Sequence, residues 1–96
     1  MHVLAVRFDL RFPSSQSLKQ RRSLLRPVTE GVRNRFSVSV AEVDHQDTWQ
    51  RAAIAVAVVS ATVSEAESVA DNVDRFVWSF PELEVLETQR RWLDWD

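Results

Sequence analysis

From Val3 to Phe12, apolar and polar positions alternate. Leu4, Val6, Phe8, Leu10 and Phe12 share one side, and Arg7, Asp9 and Arg11 the other. A period of two predicts a strand with one buried face and one polar face. Pro13-Ser14-Ser15 ends it. Ser17 then reads as a helix N-cap with Gln20 in capping-box register. Leu18, Leu25, Val28, Val32 and Phe36 form an apolar stripe at helical spacing. Pro27 lies inside this segment. Proline removes a backbone donor and clashes with the preceding turn, at a cost of ~3 kcal/mol, so the pattern predicts a kink near Ser23–Pro27 or a helix in two pieces.

Ser37 to Val43 and Gln50 to Ser60 read as the two strands of a hairpin. In the second, Ile54, Val56 and Val58 fall on one face and Ala53, Ala55 and Ala57 on the other. Ser64 with Glu67 forms a capping box for a second helix, along which Ala66, Val69, Ala70, Val73, Phe76, Val77 and Phe80 keep helical spacing. Ser79-Phe80-Pro81 stops it. Leu83 to Leu93 is a last strand, and residues 94–96 are a loose tail.

The order β-α-β-β-α-β predicts an α+β, ferredoxin-like sandwich. Right-handed crossovers place both helices on one face of a four-stranded antiparallel sheet. Strands one and three are then central, and the other sheet face is open. Residues 1–93 form a single domain with 94–96 as its tail.

Composition changes this picture in three ways. There is no cysteine, which excludes a disulfide framework and thiolate metal sites. The chain starts without the basic lead of a signal peptide and has no apolar run near the ~20 residues of a membrane span. The net charge of −2 hides an uneven distribution: residues 1–36 carry +6 and residues 37–96 carry −8. Either the two parts neutralise each other across the fold, or the chain presents one basic face whose field a polyanion would feel.

Several segments together resemble the YlxP-like family of small bacterial domains of unknown function. They are Ser17-Leu18-Lys19-Gln20-Arg21-Arg22-Ser23-Leu24-Leu25, Arg33-Asn34-Arg35-Phe36, Ser37 to Val43, His45-Gln46-Asp47 and Trp49-Gln50-Arg51-Ala52. The likeness runs from about Val3 to Trp92. It implies a ferredoxin-like fold and a cytoplasmic bacterial protein. It also implies a role near ribosomes or RNA, because genes of this family often lie near those for a translation initiation factor and a ribosome-binding factor. It carries over no catalytic residues. The first helix of the family usually lacks a proline where this chain has Pro27.

Three constellations are candidates for function. Lys19, Arg22, Arg26 and Arg33 recur along one side of the first helix, flanked by Arg21 and Arg35. Such a stripe suits phosphate contacts, whose affinity falls steeply with salt; ribosomal RNA or the ribosome is the expected partner. The open sheet face holds Arg7, Asp9 and Arg11 beside Ala53, Ala55 and Ala57, with no mid-strand aromatic of the kind RNA-recognition motifs stack bases on. Its alanines suit sheet-to-sheet packing in a homodimer, with Trp92 and Trp95 as candidate caps.

The third constellation is Glu42, His45, Gln46, Asp47, Trp49 and Arg51. A hairpin end made without Gly, Asn or Pro is unusual. As an enzyme, the chain would use Glu42, His45, Asp47 and Arg51, but no nucleophile accompanies them. His45, Asp47 and Glu42 make a weak metal set. The favoured reading is structural: Asp44, Gln46 and Asp47 bond turn backbone, Glu42 pairs with Arg51 across the hairpin, and Trp49 covers the core end. The expectation is therefore a homodimeric, non-enzymatic binding module with no catalytic residue, metal, cofactor or membrane partner. The alternative is a homodimeric interaction or scaffold domain without nucleic-acid binding.

Overall fold

The computed structural model describes residues 1–93. Its elements are β1 (His2–Arg11), α1 (Leu18–Arg35), β2 (Ser39–Asp44), β3 (Arg51–Ser60), α2 (Val63–Trp78) and β4 (Glu84–Leu93). The tail at 94–96, with Trp95, lies outside the described residues. The strands form one antiparallel sheet in the order β2-β3-β1-β4. This is the α+β, ferredoxin-like arrangement.

The alternation in β1 and β3 decides where the core sits. Leu4, Val6, Phe8 and Leu10 lie in register beside Val58, Val56, Ile54 and Ala52. They bury one sheet face against Leu25, Val28 and Val32 of α1 and Ala66, Ala70, Val73 and Val77 of α2. Each fully buried Val, Leu, Ile or Phe side chain contributes roughly 1.5–3 kcal/mol. Summed over the core, this dwarfs most local preferences of the backbone.

That weighting explains α1. Ser17 caps it by accepting from the Gln20 N–H at 3.0 Å. The side-chain oxygen of Gln20 reaches back to accept from the N–H of Gln16 rather than from the cap itself, at 2.8 Å. The helix is a single 18-residue element that runs through Pro27. It is not in two pieces, because buried Leu25 precedes Pro27 while buried Val28 and Val32 follow it. Keeping all three on the sheet outweighs ~3 kcal/mol of proline cost. Ser23 and Pro27 are themselves exposed, so water can take the Ser23 carbonyl that proline leaves without a donor.

The cap of α2 also differs from the sequence pattern. Thr62, not Ser64, is the N-cap and accepts from the Glu65 N–H at 3.2 Å. Thr62-x-x-Glu65 offers the same chemistry two residues earlier than Ser64-x-x-Glu67. The extended backbone of Thr62 is where the chain leaves β3. The apolar face predicted for α2 holds: Ala66, Ala70, Val73 and Val77 are buried, and Val69, Phe76 and Phe80 pack against the core.

The two helices meet at Gly31, the chain's only glycine. A Cβ there would collide with Cζ of Phe76 and come within 2.8 Å of its Cε2. The Phe76 ring has little room to yield. Phe36 and Phe80 abut it edge-on at 6.0 and 5.1 Å, and the Arg35 guanidinium lies 4.7 Å from its centroid. Gly31→Ala should therefore destabilise the protein by about 1–3 kcal/mol in urea unfolding. The ~1 kcal/mol that alanine gains in helix propensity offsets only part of this.

Two register shifts re-aim side chains at the sheet's edges. Glu42 lies opposite Ile54, but Asp44 lies opposite Ala53, so Val43 has no partner in β3. A second irregularity falls between Asp9 and Leu10 in the β1–β4 pairing. A bulge of this kind turns the side chains beyond it to a new direction.

Candidate nucleic-acid interface

The basic stripe is a consequence of how α1 lies on the sheet. Leu25, Val28 and Val32 turn inward, which leaves Lys19, Arg22, Arg26 and Arg33 exposed. None of the four makes an ion pair among the described residues. Arg33 donates to the Val40 carbonyl of edge strand β2, at a long 3.4 Å. Between α1 and β2 runs a groove of about 330 Å³, lined by Arg22, Arg26, Arg33, Glu30 and Glu42 with Leu25 and the β2 backbone at Ala41.

The two oppositely charged parts of the chain neutralise each other only in part. Arg7 pairs with Asp44, Arg11 with Glu84 and Arg21 with Glu42. The acids of α2 lie on the other side of the helix layer, where Asp71 meets Arg90 of β4 at 2.9 Å. No ion pair joins them to the cations of α1 among the described residues.

Arg21 is the residue that sequence reasoning misplaces. Its charge groups it with the exposed cations, yet only 1% of it is exposed. At 18, 21, 25, 28 and 32 it shares the inward stripe, and helical spacing alone is the signal that flags it. Its Nη1 donates to Oε1 of Glu42 at 2.7 Å and its Nη2 to the Gln46 carbonyl at 3.1 Å. Its Nε has no partner among the described residues.

This geometry overturns the expected Glu42–Arg51 pair. Glu42 lies opposite Ile54, on the helix side of the sheet, while Arg51 belongs to the open side with Ala53 and Ala55. The two side chains leave opposite faces. The bulge at Val43 completes the split by turning Asp44 to the open face beside Ala53 and Asp9.

A second cluster stands there. Arg7 donates to both Asp9 oxygens at 3.2 Å and to Asp44 at 3.3 Å. His45 Nε2 lies 3.8 Å from Asp9 and 3.9 Å from Asp44. Ala53 beside the cluster is fully buried and so cannot belong to a dimer face, whereas Ala55 and Ala57 are half-buried. The His45 backbone N–H and the Arg7 guanidinium hold the Asp44 carboxyl below its usual 3.8. Its share of stability is thus present above pH ~4 and is lost as pH falls through the lowered value.

The hairpin end is tied down, though not by every residue expected to do so. Asp44 accepts from the His45 N–H at 2.8 Å, as the pattern suggests. The side chains of Gln46 and Asp47 are exposed and make no hydrogen bond among the described residues. Gln50 does more, donating to the Pro13 and Ser15 carbonyls and fastening the hairpin to the loop before α1. Trp49 is 58% exposed and does not cover the core. His45 sits at φ 62, the left-handed region that glycine or asparagine enters at lower cost. Trp92 lies opposite Leu4 on the helix side and abuts His2, at a centroid distance of 6.4 Å. It therefore does not cap the open face.

The family described as "Protein of unknown function (DUF503)" matches residues 3–90. The chain belongs to this family. It is 40% identical over 76 residues to "Uncharacterized protein YlxP" of Bacillus subtilis (strain 168), covering 79% of this chain and 83% of that protein. The fold also matches "De novo designed protein Foldit4" with a TM-score of 0.53, at 15% identity, covering 98% of this chain and 99% of the other. That likeness concerns the fold alone. As a DUF503 member, the chain carries the α1 stripe and the split 42–51 segment within the matched region. No helix among its described residues is long and apolar enough to cross a membrane.

Proposed function

We propose that the protein is a non-enzymatic RNA-binding module of the bacterial cytoplasm, with ribosomal RNA or the ribosome as its target. The observation that carries this reading is that Lys19, Arg22, Arg26 and Arg33 are all exposed and free of ion pairs among the described residues. Unneutralised cations in a row supply sequence-independent attraction to phosphates. The genomic setting of the YlxP-like family favours a ribosomal target. The separation of Glu42 from Arg51 supports a non-enzymatic role, since the four residues an active site would use do not converge. Fluorescence polarisation of a labelled ribosomal RNA fragment, across a salt series and with Arg22, Arg26 and Arg33 changed to Glu, tests it.

A second reading, a homodimer through the open sheet face, has its own support. Val59 and Leu93 are 61% and 55% exposed and flank Val3 in one row across the sheet. Beside them a mostly apolar depression of about 200 Å³ is floored by Ala5 and Ala55 and rimmed by Arg7, Gln89 and Arg91. Sedimentation equilibrium at tens of micromolar should give the mass of a dimer, and Val59→Glu should give that of a monomer. A wild-type monomer under those conditions overturns this reading and leaves the RNA reading untouched.

A further inference from the structure

The groove between α1 and β2 carries more than a phosphate site needs. Arginines 22, 26 and 33 share it with two carboxylates, Glu30 and Glu42. For a surface selected only to hold phosphates, a fixed carboxylate among the cations is a liability, because it repels the ligand.

Glu42 is fixed. Arg21, itself buried, grips Oε1 at 2.7 Å and is braced in turn by the Gln46 carbonyl. The carboxylate is therefore not free to swing out and neutralise Arg22 or Arg26. Its Oε2 has no hydrogen bond among the described residues, and 24% of its side chain is open to solvent. The result is a pre-organised acceptor in the wall of a cationic groove.

We propose that this groove receives one unpaired guanine base of a single-stranded RNA, with Glu42 accepting from its N1–H and N2–H groups. The inference rests on the RNA reading above and adds what the site selects. An ionised carboxylate offers acceptors and no donor. Guanine alone among the four bases presents two adjacent donors on its Watson–Crick edge. Adenine and cytosine each set a ring acceptor beside their amino group, which a carboxylate repels. Uracil has one N–H between two carbonyls.

The rest of the groove fits a base. Leu25 gives it an apolar patch beside the β2 backbone at Ala41. Arg22 and Arg26 bring guanidinium planes of the kind that stack on splayed-out bases. A volume of about 330 Å³ is at the small end for ligand sites and enough for a nucleobase. Along α1 the cations run about 21 Å, from Lys19 just outside the groove to Arg33 at its far wall. The flanking phosphates thus have partners while the base sits between them. This arrangement also locates recognition on the helix side of the sheet, away from the open face that lacks aromatic residues.

The test varies the RNA rather than Glu42, whose loss would disturb the buried Arg21. Short labelled oligouridylates with a single central guanosine, inosine, adenosine or cytidine are compared by fluorescence polarisation at fixed salt, with the all-uridine strand as reference. The guanosine strand should bind about ten-fold tighter than the adenosine, cytidine and uridine strands. Inosine, which lacks the N2 amino group, should fall between. Competition by guanosine monophosphate, and not by adenosine monophosphate, would also support the site and would place the base rather than the chain as the main ligand. Equal, steeply salt-dependent affinity for every strand overturns the guanine site and leaves the RNA reading standing. Absence of binding by all strands and by guanosine monophosphate at low salt overturns both.

Discussion

Glu42→Ala should lose about 3–5 kcal/mol of stability, because it strands the Arg21 guanidinium where only 1% of the residue meets solvent. Domains of this kind hold a total of about 5–15 kcal/mol, so the variant would stand near the edge of folding. The cost comes from the charge left behind rather than from the bond removed. A double replacement separates the two. Arg21→Met with Glu42→Leu removes both charges and keeps the apolar stems, and buried ion pairs replaced in this way are often neutral or even stabilising. The unpartnered Arg21 Nε adds to that expectation, since one donor of the buried group already goes unsatisfied among the described residues. Urea unfolding of the wild type, the single variant and the double variant measures the difference. If Glu42→Ala costs less than about 1 kcal/mol, the pair is not buried in solution as it is here.

Changing Arg22, Arg26 and Arg33 together to Glu should abolish RNA affinity at moderate salt. Four phosphate contacts by the α1 stripe predict a slope of about −2.8 in log affinity against log salt for a single strand. Between 50 and 200 mM salt, the wild type should then weaken roughly 50-fold. The triple variant replaces three attractions with three repulsions, so any residual binding should no longer weaken as salt rises. All three side chains are exposed and free of ion pairs among the described residues, and surface changes of this sort usually alter stability by less than ~0.5 kcal/mol each. Loss of binding with an unchanged unfolding midpoint is the expected combination. Affinity that survives the triple change would sink the proposal.

Legibility tracks the kind of force at work. The elements of this chain and their order can be read because each rests on a repeat of apolar positions with its own period. The alternation in β1 predicts the buried residues of that strand except Asp9, which is buried on the open face under Arg7, and the helical spacing in α2 does the same from Ala66 to Val77. Local chemistry is less legible. Thr62 and Ser64 both head a capping pattern, and the choice between them depends on where β3 releases the chain. Pro27 argues for a break in α1, and burial on both sides of it keeps the helix whole.

The candidate site is legible by composition and not by arrangement. Lys19, Arg22, Arg26 and Arg33 can be named from the sequence, because helical spacing alone puts them on one side. Arg21 is misread when its charge is given more weight than its place in the inward stripe. Pairing Glu42 with Arg51 assumes a regular hairpin. One extra residue, Val43, breaks that regularity and sends Asp44 to the open face while Glu42 stays on the helix side. Nothing in the 41–51 segment marks Val43 as the unpaired residue, since the bulge is set by how β2 registers against β3.

The amino-acid sequence by itself determined the fold class, the central strands, the inward faces and the cationic side of α1. These come from periodicity, which each segment carries alone. Only the tertiary structure decided which cations stay free, which carboxylate is held still and which face of the sheet each hairpin residue serves. Those are properties of pairs of residues distant in the chain. Ion pairing falls off over a few ångströms, and burial decides its strength, so neither is defined until the helices are seated on the sheet.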